Sequence, residues 1–413
     1  MTNTNVPTTF YGLGIAPKVL ETLERMKFKV PTPIQHKAIP LAVEGKDIMG
    51  IAQTGTGKTL AFAIPMVQRL AQAAGNGLVV VPTRELAIQV EETIEKVGTP
   101  FGIKTAVLIG GASMEEQLRA IKRGARILIA TPGRLIDHMQ RGTVRLNTTR
   151  ILVLDEADRM FDMGFAPQIE QILQQVPKDR QTMLFSATMP RDIMVMASRH
   201  MKLPINIEVA PQGTAAEMVV QEIFVVKREM KTVLLSKLLT QYRGSVLLFS
   251  RTKHGAHKLN RDIKQMGHSV AEIHSDKSLS QRRAALEGFK VGRYRVLVAT
   301  DIAARGIDVK GIELVINFDL PDDAENYVHR IGRTGRAGME GRAISIATPD
   351  QADQVQAIER IVRSQITLAQ HPEVETNTLY RAPAVSSGRR PMGGGGRSFV
   401  NKSFARGGRR RFR

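Results

Sequence analysis

The chain has 413 residues, a formal net charge of +20 and no cysteine. Its length is typical of two domains rather than one, and the absence of cysteine excludes disulfide bridges and cysteine-ligated zinc. No apolar run approaches the ~20 residues that a membrane helix needs, and Met1–Phe10 has neither the basic nor the apolar part of an export signal, so we expect a soluble, cytoplasmic protein without membrane partners.

A glycine-rich loop follows the first predicted strand, residues 47–51. In the order strand, glycine turn and helix start, backbone N–H groups can surround phosphates. Lys58 can reach the β- and γ-phosphates, and the Thr59 hydroxyl can bind magnesium. The usual pattern begins with glycine where this chain has Ala52, and an ordinary glycine turn is the alternative. The predicted nucleotide contacts of this loop are Ala52, Gln53, Thr54, Gly55, Thr56, Gly57, Lys58 and Thr59.

Short β-branched runs alternate with amphipathic segments along the chain, which predicts parallel α/β sheets. The first series has strands at 78–81, 104–109, 127–130, 151–154 and 182–185, and helices at 84–97, 113–123 and 166–175. A second series has strands at 221–226, 246–249, 269–273, 295–298 and 314–316. Because only the first series has a glycine loop, we predict two α/β domains, 1–209 and 220–370, that share one nucleotide cleft. The small residues of 210–219 would form the hinge.

Four residues, Asp155-Glu156-Ala157-Asp158, close the predicted strand 151–154. At the carboxyl end of a parallel strand, one carboxylate can hold a metal ion while another polarises water. Acidic residues in this position are also common as solvated loops or helix caps. Together with the glycine loop, they predict an NTP and Mg²⁺ site, with Thr59 and Asp155 as the candidate metal ligands, directly or through water.

The carboxyl-terminal segment, 371–413, is rich in arginine and glycine. From Arg381 to Arg413 it contains ten Lys or Arg and no acidic residue, so half of the net charge lies there. Such a composition buries too little apolar surface to offset the entropy of ordering, and we expect disorder. Its arginines and phenylalanines suit an electrostatic tether for nucleic acid, and a solubilising terminus is the alternative.

Further short motifs occur in a fixed order. They are Phe28 with 31–35 (Pro-Thr-Pro-Ile-Gln), 82–87 (Pro-Thr-Arg-Glu-Leu-Ala), Gly110-Gly111, 131–134 (Thr-Pro-Gly-Arg), 186–188 (Ser-Ala-Thr), Ser250-Arg251, 299–308 and 329–336. With the glycine loop and the acidic tetrad, this series resembles the DEAD-box ATP-dependent RNA helicases of superfamily two, most closely the bacterial RhlE group. The resemblance covers roughly residues 10–365.

The resemblance implies two RecA-like domains with an ATP cleft between them. It implies that Gln35 reads the adenine edge, that Phe28 packs near the base and that Asp308 binds the ribose. Glu156 would orient and deprotonate the attacking water, with Asp155 and Lys58 beside it. The implied transition-state arginines are Arg333 and Arg336, and the implied coupling residues are Asp158, Ser186, Thr188 and His329.

The resemblance also implies an RNA surface on each domain. Backbone amides, hydroxyls and arginines suit contacts with phosphates, which position a strand without reading its sequence. The implied RNA-binding residues are Pro82, Thr83, Arg84, Gly110, Gly111, Thr131, Pro132, Gly133, Arg134, Ser250, Arg251, Thr300 and Arg305. Because the chain has no Trp and only five Tyr, we expect little base stacking, little sequence preference and a strong dependence on salt.

Two positions depart from the family pattern. Ser275 stands where the family commonly has glycine, and Leu279 stands where it commonly has glutamine, three residues before Arg282. The second departure removes a polar group near the implied RNA surface of the second domain. The expected function is RNA-stimulated ATP hydrolysis by a monomer that unwinds short duplexes or remodels RNA–protein complexes, with ribosomal or RNA-decay proteins as possible partners. An ATP-gated RNA clamp with little net unwinding is the alternative, and a DNA helicase is disfavoured.

Overall fold

The computed structural model describes residues 9–52, 55–209, 219–301, 309, 311–335 and 341–379. Within these ranges the strands form two parallel sheets of seven strands each. The predicted hinge falls almost wholly outside the described residues, as does the chain beyond 379. No helix among the described residues is long and apolar enough to cross a membrane.

The first sheet has the strand order β3-β4-β2-β5-β6-β1-β7. Its strands are β1 (Ile48–Ile51), β2 (Asn76–Val80), β3 (Thr105–Leu108), β4 (Ile127–Ala130), β5 (Thr149–Asp155), β6 (Gln181–Ser186) and β7 (Ile205–Glu208). Its helices are α1 (Pro17–Arg25), α2 (Pro33–Val43), α3 (Lys58–Gln72), α4 (Arg84–Gly98), α5 (Met114–Lys122), α6 (Pro132–Gln140), α7 (Ala157–Asp162), α8 (Ala166–Gln175) and α9 (Arg191–His200), with a 3₁₀ turn at Thr99–Phe101.

Strand β5 shows why the central strands are continuously apolar. Successive side chains of a strand point to opposite faces of the sheet. Ile151 and Val153 join the core on one face, and Leu152 and Leu154 join the core on the other. Helices cover both faces, so both sets of side chains are buried and no polar alternation is needed.

The second sheet repeats the first, with the order β10-β11-β9-β12-β13-β8-β14. Its strands are β8 (Val219–Val225), β9 (Val246–Phe249), β10 (Val270–Ile273), β11 (Val296–Ala299), β12 (Leu314–Asn317), β13 (Gly341–Ala347) and β14 (Thr367–Ala369). Its helices are α10 (Lys231–Gln241), α11 (Lys253–Gln265), α12 (Leu279–Lys290), α13 (Ala324–Ile331) and α14 (Ala352–Val362), with a 3₁₀ turn at Arg228–Met230.

The predicted fold class, two tandem parallel α/β sheets, is confirmed. All the predicted strands are present, and the bounds of β4 and β9 match residue for residue. The prediction that the tail begins at 371 needs correction, because Val374 is buried in the second core and the Asn377 N–H donates to the Val225 carbonyl at 2.7 Å. These residues lie along β8 and belong to the second domain.

Candidate functional site

The predicted site residues lie at the carboxyl ends of the strands, where parallel sheets bind ligands. On the first sheet, the glycine loop, the tetrad and the Ser-Ala-Thr motif follow the neighbouring strands β1, β5 and β6. The motifs at 82–87, 110–111 and 131–134 follow β2, β3 and β4, on the adjoining half of the same edge. We call these two parts of the edge the nucleotide half and the nucleic-acid half, after the ligands that their residues are predicted to bind.

The glycine loop has the backbone that a phosphate cradle needs. Gly55 and Gly57 have φ angles of 87° and 88°, a left-handed region that favours glycine. Lys58 is the first residue of α3, and its buried Nζ donates to the Ala52 carbonyl at 2.9 Å. Gln53 and Thr54 lie outside the described residues.

Gln35 supports this loop from α2. Its Oε1 accepts the Thr32 N–H at 2.9 Å, and its Nε2 donates to the Gly57 carbonyl at 3.0 Å. A Cβ at position 57 would lie 2.4 Å from that Nε2, so any other residue there would displace the Gln35 amide as well as strain the backbone. Phe28 is 40% exposed. The adenine contacts of both residues remain predictions.

Asp155 is buried at the end of β5, where its Oδ1 accepts the Glu156 N–H at 3.0 Å. Burial raises the pKa of Asp155 to about 7, and the nearby Lys58 opposes that rise. A divalent cation would return such a carboxyl to its ionised form. The donor set of Asp155 and Thr59, two oxygen ligands beside the phosphate loop, therefore fits Mg²⁺.

Glu156 has a left-handed backbone, with φ 54° and ψ 52°, at the start of α7. Its side chain forms a buried ion pair with Arg159. Burial acts to raise the pKa of Glu156, but Arg159, Lys58 and Arg333 together outweigh burial and lower it. Glu156 is therefore ionised at neutral pH, as a group that polarises water should be.

Asp158 ties β5 to β6. Its Oδ2 accepts the Ala187 N–H at 3.0 Å, the Thr188 N–H at 2.8 Å and the Thr188 hydroxyl at 3.1 Å. Ser186 binds differently, because its Oγ accepts the backbone N–H of Asp158 at 3.0 Å rather than donating to the carboxylate. Burial opposes ionisation of Asp158, but His329, Lys58 and these hydrogen bonds keep its pKa low.

The second domain brings His329 and Arg333 to the tetrad. Burial in the cleft, followed by the charge of Arg159, lowers the pKa of His329 to about 4, although Asp158 favours the protonated ring. Arg333 is 2% exposed, and its Nε donates to the His329 carbonyl at 3.2 Å. Arg330 has a structural role, because its Nε and Nη2 donate to Asp301 at 2.6 and 2.7 Å. The other two nucleotide residues predicted for this domain, Asp308 and Arg336, lie outside the described residues.

The nucleic-acid half of the first domain begins at α4. Thr83 caps this helix, its Oγ1 accepting the Leu86 N–H at 3.3 Å. Arg84 lies against Gly110 and Gly111, where a Cβ on Gly111 would come within 2.4 Å of the Arg84 Nη1. Pro82 precedes the cap, and Thr131, Pro132, Gly133 and Arg134 form the start of α6.

The second domain presents a similar edge. Arg251 is half exposed after β9 and pairs with Asp322 at 3.3 Å. Ser250 is buried, with its Oγ 3.4 Å from the Asp319 carboxylate, and its contact with RNA stays a prediction. Thr300 follows β11, and Arg305 lies outside the described residues.

Two contacts join the domains away from the nucleotide half. The Arg282 Nη2 donates to Glu85 Oε2 at 2.8 Å, and both side chains are buried. One turn earlier on α12, Leu279 packs against the hydrophobic core of the first domain. Leu279, Arg282 and the motif that contains Glu85 were noted from the sequence, but the contact between Arg282 and Glu85 was not predicted, because its partners lie 197 residues apart. It also missed Arg159, although an arginine three residues after Glu156 on a helix is a visible signal.

Comparisons with known proteins agree with this architecture. Residues 32–196 match the DEAD/DEAH box helicase family and residues 230–338 match the helicase conserved C-terminal domain. The DEAD-box ATP-dependent RNA helicase CshA of Geobacillus kaustophilus is 44% identical over 89% of this chain and 79% of its own length.

Solved structures give the same result. Dbp5 of S. cerevisiae bound to RNA and ADP BeF3 superposes with a TM-score of 0.80, at 31% identity over 88% of this chain and 96% of that one. A DEAD box protein from Methanococcus jannaschii is more similar in sequence, at 37% identity over 88% of this chain and 99% of that one, yet its TM-score is 0.53. With its two sheets, its shared cleft and these relatives, the chain belongs to the family of DEAD-box ATP-dependent RNA helicases.

Proposed function

We propose that this helicase couples RNA-stimulated ATP hydrolysis to local unwinding of short RNA duplexes or to remodelling of RNA–protein complexes. The observation that carries the proposal is the composition of the cleft, in which Glu156 and Asp158 of one domain meet His329 and Arg333 of the other. Chemistry that needs both sets of groups can proceed only when the domains are closed.

The nucleotide half supplies the binding groups for ATP. Lys58 and the loop amides hold the phosphates, while Gln35 and Phe28 lie on the side of the base. Thr59 and Asp155 are the residues that would hold Mg²⁺, which when bound neutralises charge on the phosphate oxygens. Glu156 orients and deprotonates the water, and Arg333, with Arg336, stabilises charge on the transferred phosphoryl group. Arginines in this role contribute about 10³- to 10⁵-fold to the rate.

Coupling to RNA follows from the divided edge of the sheets. A strand bound along its backbone to the adjoining halves of both domains would favour the closed arrangement. Asp158 would connect ATP hydrolysis with domain closure. It accepts the Thr188 N–H in the first domain, and His329 of the second domain helps to keep its pKa low. When RNA brings the two domains together, the same movement would therefore complete the ATP site.

The RNA contacts are proposed to be mainly to phosphates and 2′-hydroxyls. RNA is therefore bound with little sequence preference, and a monomer suffices because both halves of the site come from one chain. A cytoplasmic location and membership of the RhlE group belong to the same proposal.

The test measures ATPase rate with single-stranded RNA, matched DNA and no nucleic acid, at two salt concentrations. RNA should stimulate and DNA barely so, and the stimulation should weaken with salt because phosphate contacts release counterions. Glu156→Gln is the control that should abolish hydrolysis while binding of a fluorescent ATP analogue persists. Equal stimulation by DNA would contradict the RNA assignment.

A strand-displacement assay with a short RNA duplex separates unwinding from clamping. The full chain and a truncation after residue 379 are compared, because the described second domain extends to that residue. ATP-dependent displacement by the truncated protein would place unwinding in the two domains. RNA-stimulated hydrolysis without displacement by either protein would instead favour the ATP-gated clamp.

A further inference from the structure

Arg159 is a buried, charged side chain beside Glu156, and the proposed function gives it no role. It lies in the first turn of α7, directly after the tetrad, and only 2% of it is exposed. A buried guanidinium is expensive unless its donors find acceptors. Its contacts should therefore indicate why it is there.

One of these contacts is with Glu156. The Arg159 Nη1 pairs with Glu156 Oε2, and within the described part of the chain Glu156 Oε1 accepts no hydrogen bond. The two carboxylate oxygens are thus distinguished: Oε2 is held by Arg159, and Oε1 receives no hydrogen bond from the described residues. Such a division suits a carboxylate that must present one oxygen to a water in a defined direction.

The rest of Arg159 faces the second domain. Its Nε and Nη2 have no hydrogen-bond partner among the described residues, and its side chain lines a small cavity with Asp301, Asn326, His329 and Arg333. The guanidinium therefore lies between the carboxylate it holds and the domain that closes on it. It is the first-domain side chain in the lining of this cavity.

The backbone of Glu156 makes a side-chain anchor necessary. A left-handed conformation costs a non-glycine residue about 1–2 kcal/mol, so the surroundings must hold this residue in place. Without Arg159, its buried carboxylate would lose its principal counter-ion and could turn toward Lys58 or Arg333, which also act on it. Either rotation would move Oε1 away from the water.

We propose that Arg159 is a positioning residue for hydrolysis, which holds Glu156 by Oε2 so that Oε1 is presented to the attacking water. This inference rests on the proposed role of Glu156 as the group that activates water. In this proposal Arg159 acts through Glu156 rather than on ATP. Its loss should therefore lower kcat and leave the KM for ATP unchanged.

The experiment measures kcat and KM for ATP, at saturating RNA, in Arg159→Gln, Arg159→Lys, Glu156→Gln and the double variant. Arg159→Gln should lower kcat about 10²-fold, the usual effect of misplacing a reacting group by about 1 Å. Arg159→Lys should recover part of the loss, since it restores the charge but not the planar donor geometry. The double variant should be no slower than Glu156→Gln, because residues that act as a unit are not additive.

Arg150→Gln is the matched control, because Arg150 is exposed on the same domain and pairs with the exposed Asp179. Thermal unfolding and binding of a fluorescent ADP analogue are measured for every variant. If Arg159→Gln does not fold, Arg159→Lys takes its place in the comparison of single and double variants with Glu156→Gln.

Three results would overturn the inference: an unchanged kcat in Arg159→Gln, a raised KM with kcat retained, or a loss that multiplies with that of Glu156→Gln. If Glu156→Gln itself hydrolyses ATP at the normal rate, the proposed function of Glu156 fails and the inference falls with it. Loss in Glu156→Gln but not in Arg159→Gln overturns the inference alone.

Discussion

The buried ion pair between Glu85 and Arg282 provides a test of domain closure that is independent of the nucleotide chemistry. The two side chains belong to different domains, lie 2.8 Å apart and are 3% and 9% exposed. When the domains separate, both charges return to water. Burial lowers the pKa of Arg282, and Glu85 opposes that shift, as expected for a guanidinium that depends on its partner.

Removing one member of this ion pair should therefore destabilise the closed state by more free energy than the intact pair contributes to it. An uncompensated buried charge costs about 3–5 kcal/mol, whereas an apolar pair of similar volume is often neutral. Arg282→Met should thus reduce the equilibrium constant for closure about 10²- to 10⁴-fold. The double variant Glu85→Leu with Arg282→Leu should close nearly as well as the parent, apart from the loss of a favourable charge at the start of α4.

The absence of cysteine makes the assay direct. Cysteines introduced at the exposed Lys122 and Lys264, one in each domain, accept a donor and an acceptor dye. Energy transfer is then recorded with RNA and a non-hydrolysable ATP analogue, together with the RNA-stimulated ATPase rate. The parent and the double variant should reach the high-transfer state, and Arg282→Met should not.

Equal closure in Arg282→Met and the parent would refute the argument that a lone buried charge opposes closure. Equal loss in the single and double variants would refute it in another way. In that case the contact would matter for its specific hydrogen bond rather than for charge compensation.

Three further predictions concern residues near the cleft. Burial lowers the pKa of His329 from 6.5 to about 4, so below pH 6.5 the open state binds a proton that the closed state does not. Closure should therefore be undiminished above pH 6.5 and should weaken by up to about 1.4 kcal/mol per pH unit below it. Energy transfer between the dyes measures this dependence, which His329→Gln should lose. Leu279→Gln removes an apolar contact with the first domain, and we expect a higher RNA concentration for half-maximal ATPase; an unchanged value would exclude a role for this contact in closure. Ser186→Ala leaves the buried N–H of Asp158 without its acceptor, at a cost of about 1–3 kcal/mol, and should reduce strand displacement more than ATP hydrolysis; equal reductions would contradict a coupling role.

The central strands could be predicted because a strand buried on both faces appears as an uninterrupted apolar run. The strand β13 was missed because Ser345 interrupts its run. That serine is fully buried and accepts a hydrogen bond from the buried Asn317 at 3.0 Å, so a polar residue occupies a core position. Strand β7 was missed for the opposite reason, since most of its residues are exposed at the edge of the sheet.

The site was predictable to the extent that its residues follow strands in a recognisable order. The tetrad and the glycine loop were assigned to one nucleotide site, the resemblance implied that the Ser-Ala-Thr motif couples to it, and the structure brings all three together. Contacts across the cleft could not be predicted in the same way. The pairing of Glu85 with Arg282 depends on how two domains close, and nothing local to either residue specifies it.

The contacts across the cleft differ in what they require, and this difference explains how RNA can control hydrolysis. The contacts of Arg282 with Glu85 and of Leu279 with the first-domain core need no ligand, whereas Arg333 acts on Glu156, the group that we propose activates water for the attack on ATP. A buried ion pair roughly offsets its own desolvation, so it fixes the orientation of the domains more than it drives them together. Moving a two-state equilibrium from 1:99 to 99:1 requires about 5.5 kcal/mol of differential binding. If ATP and RNA each supply part of that energy, neither ligand alone closes the cleft, and Glu156 meets Arg333 only when both are bound.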